Sequence, residues 1–462
     1  MGLVLAAETS KCVADCDPVE TNALAVWNQM EISYREALQS VSGRLCPFGT
    51  VTPPNRLETG SWDLISSLFG FGAPDALETL RESLRTITGR HHISFAPSCR
   101  SAIAQILSIL PQEEVVMPAF TCPVVKTAVQ LAGKRIVYVD IAHRSVNATS
   151  LEYEKEAKPG RILLPTHLFG IPTDVDKICE LAASSGCVTI EDAAAAFAGM
   201  KSGRPLGTFG DVGIFSFERS KRAPAFRGAA IVINNAQVID PVKLASNPLL
   251  PTTLSRPITE VAFAFLYNIA TNPWLYGRGT LPRLLRRYSA MPSKPHDYKC
   301  ESAAANSFYT QAFHQVQARI VLRVLERFDQ IREHIANLVA VYETRFQGTA
   351  VQQCVTPDTD RGGMLRFPVS LWGRRRADVL RQALRHGVYL ETNYERPLAD
   401  HRDWNKYPNA VWAADTLMLL PLYSRLSPNA AERLAETLLT VDKEIPVAAG
   451  EAAAAQCAPG IN

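Results

Sequence analysis

The chain has 462 residues, with 48 Lys and Arg against 45 Asp and Glu for a net charge of 48 − 45 = +3. So even a balance gives no whole-chain case for a nucleic-acid or acidic-membrane partner, although basic residues cluster locally. The hydrophobic fraction of 47% is that of an ordinary globular protein, and the length leaves room for more than one domain. Among ten scattered cysteines only Cys12 and Cys16 lie close together, and no histidine stands at zinc-finger spacing. The expectations are therefore no metal and a reducing, cytoplasmic setting. The start, MGLVLAAETSKC, lacks the basic region of a signal peptide. No uninterrupted apolar run reaches the length of a membrane span.

Residues 1–72 read as an N-terminal extension with a packing or dimer-contact role. Within it Asn22 to Val41 is expected to be an amphipathic helix. From Pro74 the pattern becomes α/β. Leu77, Leu80, Leu84 and Ile87 mark a helix ending near Gly89, and Ile93 to Ala96 is a strand running into a helix that begins near Ser98. Val115 to Pro118, Arg135 to Asp140 and Ile162 to Leu164 are further strands, the last followed by His167-Leu168-Phe169-Gly170. Short apolar strands alternating with helices predict a mostly parallel sheet with helices on its faces. Ligands bind beyond the carboxyl ends of such strands, where Ser98, Thr121, His167 and Asp192 are placed.

The segment from Val188 to Asn234 carries the chemistry. A β-branched run ends on Glu191 and Asp192, and glycines follow at 203, 207 and 210. A second apolar run then leads to Ser216, with Lys221 five residues on. A lone lysine is ordinarily solvated. Desolvation and nearby cations instead make an amine that attacks carbonyls, and Arg219, Arg222 and Arg227 are close in sequence. Pyridoxal phosphate needs such an amine, a carboxylate for its ring nitrogen and a phosphate cradle. Lys221, Asp192 and Ser216 can supply these in turn.

Two motifs, Ile190-Glu191-Asp192-Ala193-Ala194 and Gly210-Asp211-Val212-Gly213-Ile214-Phe215-Ser216-Phe217, stand 221 − 192 = 29 residues from acid to lysine. They resemble the DegT/DnrJ/EryC1/StrS family of sugar aminotransferases, pyridoxal-phosphate enzymes of fold type I. The resemblance runs from about Ala73 to about Glu436. It implies a large domain over 73–320 and a smaller C-terminal α+β domain over 321–446, while the Ala-rich 447–462 reads as a disordered tail. It also implies a homodimer, with glutamate or glutamine as amino donor and a keto sugar, often nucleotide-linked, as acceptor.

Residue by residue, the resemblance puts the covalent cofactor link at Lys221 and the ring-nitrogen partner at Asp192. The phosphate falls at the helix start near Arg100 and Ser101, with Ser216. Cys122 occupies the place of the family's stacking aromatic, Ala195 that of a cofactor-contacting Gln, and Phe226-Arg227-Gly228-Ala229 that of G-E-G-G. His167 in H-L-F-G is either a structural hydrogen-bonder or a group touching cofactor or substrate. Asn393 to Leu398 with His401 resembles the substrate loop, placing Tyr394 and His401 at the substrate. The family's cross-subunit asparagine has Thr310 at its position, with Asn306 as the nearby candidate.

Residues 236–305 read as an insertion, with three readings open: a lid, an oligomer contact or a membrane-surface patch. Val321 to Phe346 is expected to be one long helix leading into the C-terminal domain, where Leu365 to Leu371 and Val388 to Leu390 are strands and Leu419 to Tyr423 closes the sheet. Rival functions are a different reaction on the same cofactor, or a non-catalytic binding partner. The changes at Cys122, Ala195 and Phe226 motivate both.

Overall fold

The computed structural model describes residues 51–70, 75–246, 255–284, 311–371 and 373–446. The expected helix at 22–41, the candidate Asn306, Thr310 and the C-terminal tail lie outside them.

Seven strands form the main sheet: β1 (His92–Ala96), β2 (Glu114–Pro118), β3 (Arg135–Val139), β4 (Arg161–Leu163), β5 (Val188–Asp192), β8 (Val212–Ser216) and β9 (Ala229–Ile233). Between β5 and β8 a two-strand ribbon intervenes, β6 (Met200–Lys201) with β7 (Arg204–Pro205). The order across the sheet is β1-β9-β8-β5-β4-β2-β3. From β8 to β3 every pairing is parallel, while β9 runs antiparallel to both neighbours. Every residue of β5, β8 and β9 is buried, as in a sheet whose two faces are both covered by helices.

Glycine is required at two points that hold the site together. A Cβ on Gly213 would stand 1.9 Å from the Gly207 carbonyl oxygen, so β8 lies directly against the turn that precedes it. Gly228 adopts φ +105°, and a Cβ there would meet the Phe313 ring at 2.2 Å. Phe313 in turn stacks on Phe95 and Phe217.

A second, antiparallel sheet contains β10 (Val351–Gln353), β11 (Arg366–Leu371) and β12 (Met418–Pro421). One apolar cluster runs continuously from Leu80 through Phe215 to Phe367 and Val441. Two expectations are corrected here. The helical run 321–346 is two helices, Gln315–Leu325 and Phe328–Phe346. They break at Arg327, whose guanidinium donates to the Glu58 carbonyl (2.7 Å) and to Asp63 (2.6 Å). Val388 to Leu390 is not a strand; Val388 and Leu390 are buried as irregular chain, and only Glu391 bridges to Leu419.

Residues 51–70 form an integral layer. Leu57 and Leu64, the latter on helix Ser61–Leu68, pack with Val261 and Ala264 of helix Ser255–Ala270 and with Val316 and Ile320.

Candidate active site

The site forms where β5 and β8 end. Asp192 is the last residue of β5 and lies 4% exposed, its backbone N–H donating to the Pro165 carbonyl at 2.8 Å and its carbonyl accepting from His167 N–H at 3.0 Å. Its Oδ1 accepts from Ala194 N–H at 3.0 Å. Burial pushes the carboxyl above the ordinary aspartate range, although the Ala194 N–H and the Lys221 ammonium pull the other way.

Lys221 is half-buried on the turn after β8, its N–H bonded to the Glu218 carbonyl at 2.9 Å. The turn is closed by Ser220 N–H on the Glu218 carboxylate (2.8 Å) and by Ala225 N–H on the Phe217 carbonyl (2.7 Å). Two further groups share the field of Asp192 and Lys221. These are Cys99, the first residue of helix Cys99–Ile109, and Cys122, which precedes helix Pro123–Leu131. Burial raises both thiols, Cys99 the more strongly, so both are neutral at physiological pH.

Tyr394 lies within electrostatic reach of Cys122 and Asp192. Its ring stacks on Phe169 (5.9 Å between centroids) and meets Phe120 edge-on at 5.8 Å. Tyr394 and Phe169 both hold left-handed backbone, φ +60° and +59°. Such conformations are uncommon for non-glycine residues and gather at functional sites.

The residues present were tested against the pyridoxal phosphate expected from the sequence. Buried polar atoms ordinarily find partners, yet Thr121 Oγ1 and Thr166 Oγ1 have none among the described residues. Both lie around Asp192: Thr166 bridges its backbone, and Thr121 adjoins Cys122. Asp192 Oδ2 likewise takes no hydrogen bond from described residues. A carboxylate and two hydroxyls within electrostatic reach of a lysine suit a polar heterocycle carrying an aldehyde. The residues fit the group.

At the same end of the sheet, the start of helix Cys99–Ile109 supplies the positive end of a helix dipole. Ser98 Oγ accepts from Ser101 N–H at 3.1 Å, and the Ser98 backbone bridges Gly228. Ser101 is buried and its hydroxyl accepts from Gln105 at 2.9 Å. Ser216, also buried, closes β8, and Ala195 is half-buried in the turn after Asp192.

Two further candidates have described partners. His167 is wholly buried with both ring nitrogens occupied: Nδ1 accepts from Thr173 N–H (3.2 Å), which leaves Nε2 to donate to Glu191 at 2.9 Å. No nitrogen remains for a ligand, so His167 is a positioning residue. His401 opens the short helix His401–Lys406, with Nδ1 3.3 Å from Asp400.

The three arginines are not bare cations beside the lysine either. Arg222 pairs with buried Glu58 at 2.6 Å, Arg227 with Glu260 at 2.5 Å, and Arg219 with Glu218 at 3.3 Å. Arg222 also donates to the carbonyls of Met364 and Leu422. It therefore pins the Lys221 turn to the second sheet. The Arg222–Glu58 lock escaped the sequence reading, because a pair 222 − 58 = 164 residues apart leaves no local signal.

A separate cavity of about 510 Å³, lined by Arg90, Cys179, Arg204 and Asp211, lies at the amino ends of β5 and β8. Asp211 there accepts from Thr189 N–H at 2.9 Å and from Asn235 at 2.8 Å, which ties the strand ends together.

The family model for the DegT/DnrJ/EryC1/StrS aminotransferase family matches residues 75–270 and 282–439, and the chain belongs to that family. A UDP-N-acetyl-3-dehydro-α-D-glucosamine 3-aminotransferase from Acidithiobacillus ferrooxidans is 36% identical over 128 residues, 28% of this chain and 35% of that protein. The spore coat polysaccharide biosynthesis protein SpsC of Bacillus subtilis is 21% identical over 79% of this chain and 90% of its own. GDP-perosamine synthase of Escherichia coli O157:H7 matches 33% of this chain and 43% of its own at 27% identity. The match thus spans less than half the length of the first and last of these relatives.

Among solved structures, the aminotransferase TlmJ from Streptoalloteichus hindustanus superposes with a TM-score of 0.63 over 86% of this chain and all of its own, at 19% identity. DesV of S. venezuelae, in complex with a ketimine intermediate, gives 0.62 over 84% of this chain and 95% of its own, at 23% identity. These likenesses establish the fold: a fold-type-I large domain with a mostly parallel sheet.

Proposed function

We propose that the protein is a pyridoxal-phosphate-dependent aminotransferase that moves an amino group from glutamate or glutamine to a keto sugar, as a cytoplasmic homodimer. The observation that carries the reading is the convergence of Lys221, Asp192 and the unpartnered Thr121 and Thr166 hydroxyls at one end of the sheet. The sugar acceptor is supported by relatives whose names specify UDP- and dTDP-sugar aminotransferases.

Lys221 would hold the cofactor aldehyde and Asp192 its ring nitrogen. Arg100, Ser101 and Ser216 would hold the phosphate, with Cys122 and Ala195 beside the ring. The cofactor, when bound, supplies an electron sink for the bond broken at the donor Cα. The chain supplies the proton traffic and the geometry. Lys221 Nζ takes the Cα proton and returns it, as a general base on a short tether. Asp192, kept in low dielectric, offers its charge to a cationic partner rather than to water. His167 and Glu191 fix the strand end from which Asp192 projects, and Tyr394 bounds the substrate side.

The test is the visible spectrum of the purified protein with pyridoxal phosphate, before and after glutamate. The expected result is an absorbance band near that of lysine-bound cofactor, converted by glutamate to the amine form. Lys221→Ala removes the band and lowers turnover by about 10³-fold. A band that persists in Lys221→Ala refutes the lysine assignment. Cofactor binding without conversion by either donor refutes transamination and leaves another reaction on the same cofactor.

A further inference from the structure

The three arginines near Lys221 all end in ion pairs, but two arginines elsewhere do not. Arg90 and Arg204 line the cavity of about 510 Å³ at the amino ends of β5 and β8, and neither has a carboxylate within ion-pair distance among the described residues. The fold brings them together from far apart. Arg90 follows Gly89, which closes helix Ala76–Thr88 in left-handed backbone at φ +64°, and Arg204 stands exposed on the ribbon of β6 and β7. Arg90 Nη2 donates to the Thr208 carbonyl at 3.0 Å. Arg204 donates to that same oxygen, its Nε reaches Thr208 Oγ1 at 3.2 Å, and its guanidinium lies over the Phe209 ring, 4.3 Å from the centroid.

One acceptor thus holds two like charges side by side. Burial, with Arg204 alongside, holds Arg90 below the ordinary arginine range. A guanidinium has several N–H donors and no acceptor, so a single carbonyl and a hydroxyl leave donors to spare. The acid on the lining is already engaged: Asp211 accepts from Thr189 N–H at 2.9 Å and from Asn235 at 2.8 Å. Glu191, whose field reaches Arg90, is taken by His167 and by the N–H groups of Gly207, Phe209 and Gly210.

Two adjacent guanidiniums without a counter-charge make a fork for an oxyanion. Charge selects which one. A carboxylate balances one cation, whereas a phosphate monoester carries about −1.5 to −2 at neutral pH and balances both. The cavity is larger than a bare phosphate and falls in the range of small-molecule sites, with Thr189, Asn234 and Asn235 giving the rest of its lining polar character. We propose that this cavity is a second ligand site, taking the phosphate monoester of a small polar molecule between Arg90 and Arg204. It is separate from the candidate active site, since Thr189 on its lining and Asp192 at the end of β5 are three residues apart, about 10 Å along a strand.

The test is calorimetric titration of the full-length protein with glycerol phosphate, glycerol and succinate. Glycerol phosphate is expected to bind, glycerol not to bind, and succinate to bind about tenfold more weakly or worse. Arg204→Glu sets a carboxylate beside Arg90 in the place of the anion and should abolish binding. Arg204→Lys keeps the charge but not the fork and should weaken binding by about fivefold to tenfold. Both variants should melt with wild type, because Arg204 is exposed; should Arg204→Glu disturb folding, Arg90→Gln replaces it. The difference between wild type and variant is what is read, so any phosphate held near Lys221 cancels and the outcome stands apart from that of the aminotransferase reading. The proposal is overturned if wild type does not bind glycerol phosphate, if Arg204→Glu binds it as wild type does, or if succinate binds as tightly.

Discussion

Glu191 and Asp192 are neighbours on β5, both buried, yet the two faces of that strand end hold them in opposite electrostatic conditions. Successive side chains of a strand point to opposite sides. On one side Glu191 accepts from His167 (2.9 Å), Gly207 N–H (2.6 Å), Phe209 N–H (2.7 Å) and Gly210 N–H (3.1 Å). Burial alone would raise it, but these donors hold it below the usual glutamate range. On the other side Asp192 has one backbone donor and stays above the aspartate range, chiefly through burial. The first face is a finished structural joint. The second is held in an unfavourable state that a cationic ligand would relieve, and that asymmetry distinguishes scaffold from site.

The largest expected effect breaks the second face. Asp192→Asn is expected to lower aminotransferase turnover by about 10³-fold. In the protein without cofactor the same change should leave stability equal or slightly higher at neutral pH. The sign follows from linkage: a carboxyl whose folded pKa is raised weakens folding above that pKa, and asparagine removes the penalty. Lower stability of the cofactor-free variant in denaturant titrations would show Asp192 to be structural.

Next in size is the lock behind the lysine. Arg222→Met leaves Glu58 buried without its partner and frees the carbonyls of Met364 and Leu422. Breaking a buried pair from one side costs about 3–5 kcal/mol. Pairing it with Glu58→Met should restore a large part, because two well-packed apolar groups replace two charges. If the double variant is no more stable than Arg222→Met, the ion pair is not what couples the turn to the second sheet.

Glu191→Gln tests the first face and carries the opposite sign from Asp192→Asn. The amide cannot accept from four donors, and the loss is expected to be about 3 kcal/mol at neutral pH. Glu191 has a depressed pKa, so its contribution is present above the unfolded value near 4.5 and fades as pH falls through the folded one. The stability gap between wild type and variant should therefore narrow below about pH 4.5. A gap independent of pH would mean that packing, not ionisation, accounts for it.

The sequence made one kind of feature readable and hid another. Strand ends carrying Asp192, the glycine at 213 and the 29-residue interval to Lys221 are local patterns with local physical causes, and so is the N-cap at Ser98. His167 was ambiguous because a buried histidine is assigned by the partners of both ring nitrogens, and Thr173 and Glu191 flank it only in space. Arg222 was misjudged for a related reason. Proximity to Lys221 along the chain implied a cation beside the amine, whereas its side chain crosses the core to Glu58. The break at Arg327 is equally non-local, since Glu58 and Asp63 take the guanidinium that interrupts an otherwise helical run.

The smallest effect refines the site face itself. Cys122 stands where the resembled motif stacks an aromatic ring, and Tyr394 and Phe169 stack on each other in left-handed backbone. Tyr394→Phe keeps the ring and removes only the hydroxyl, so it should cost about 1 kcal/mol or less. Turnover of the donor half-reaction should be unaffected while KM for the keto acceptor rises, as expected if Tyr394 stands on the substrate side proposed above. Tyr394→Ala removes the stack on Phe169 as well and should lower both half-reactions. If Tyr394→Phe instead slows the donor half-reaction as much as Tyr394→Ala does, the hydroxyl acts at the cofactor, and the division of labour between ring and hydroxyl is wrong.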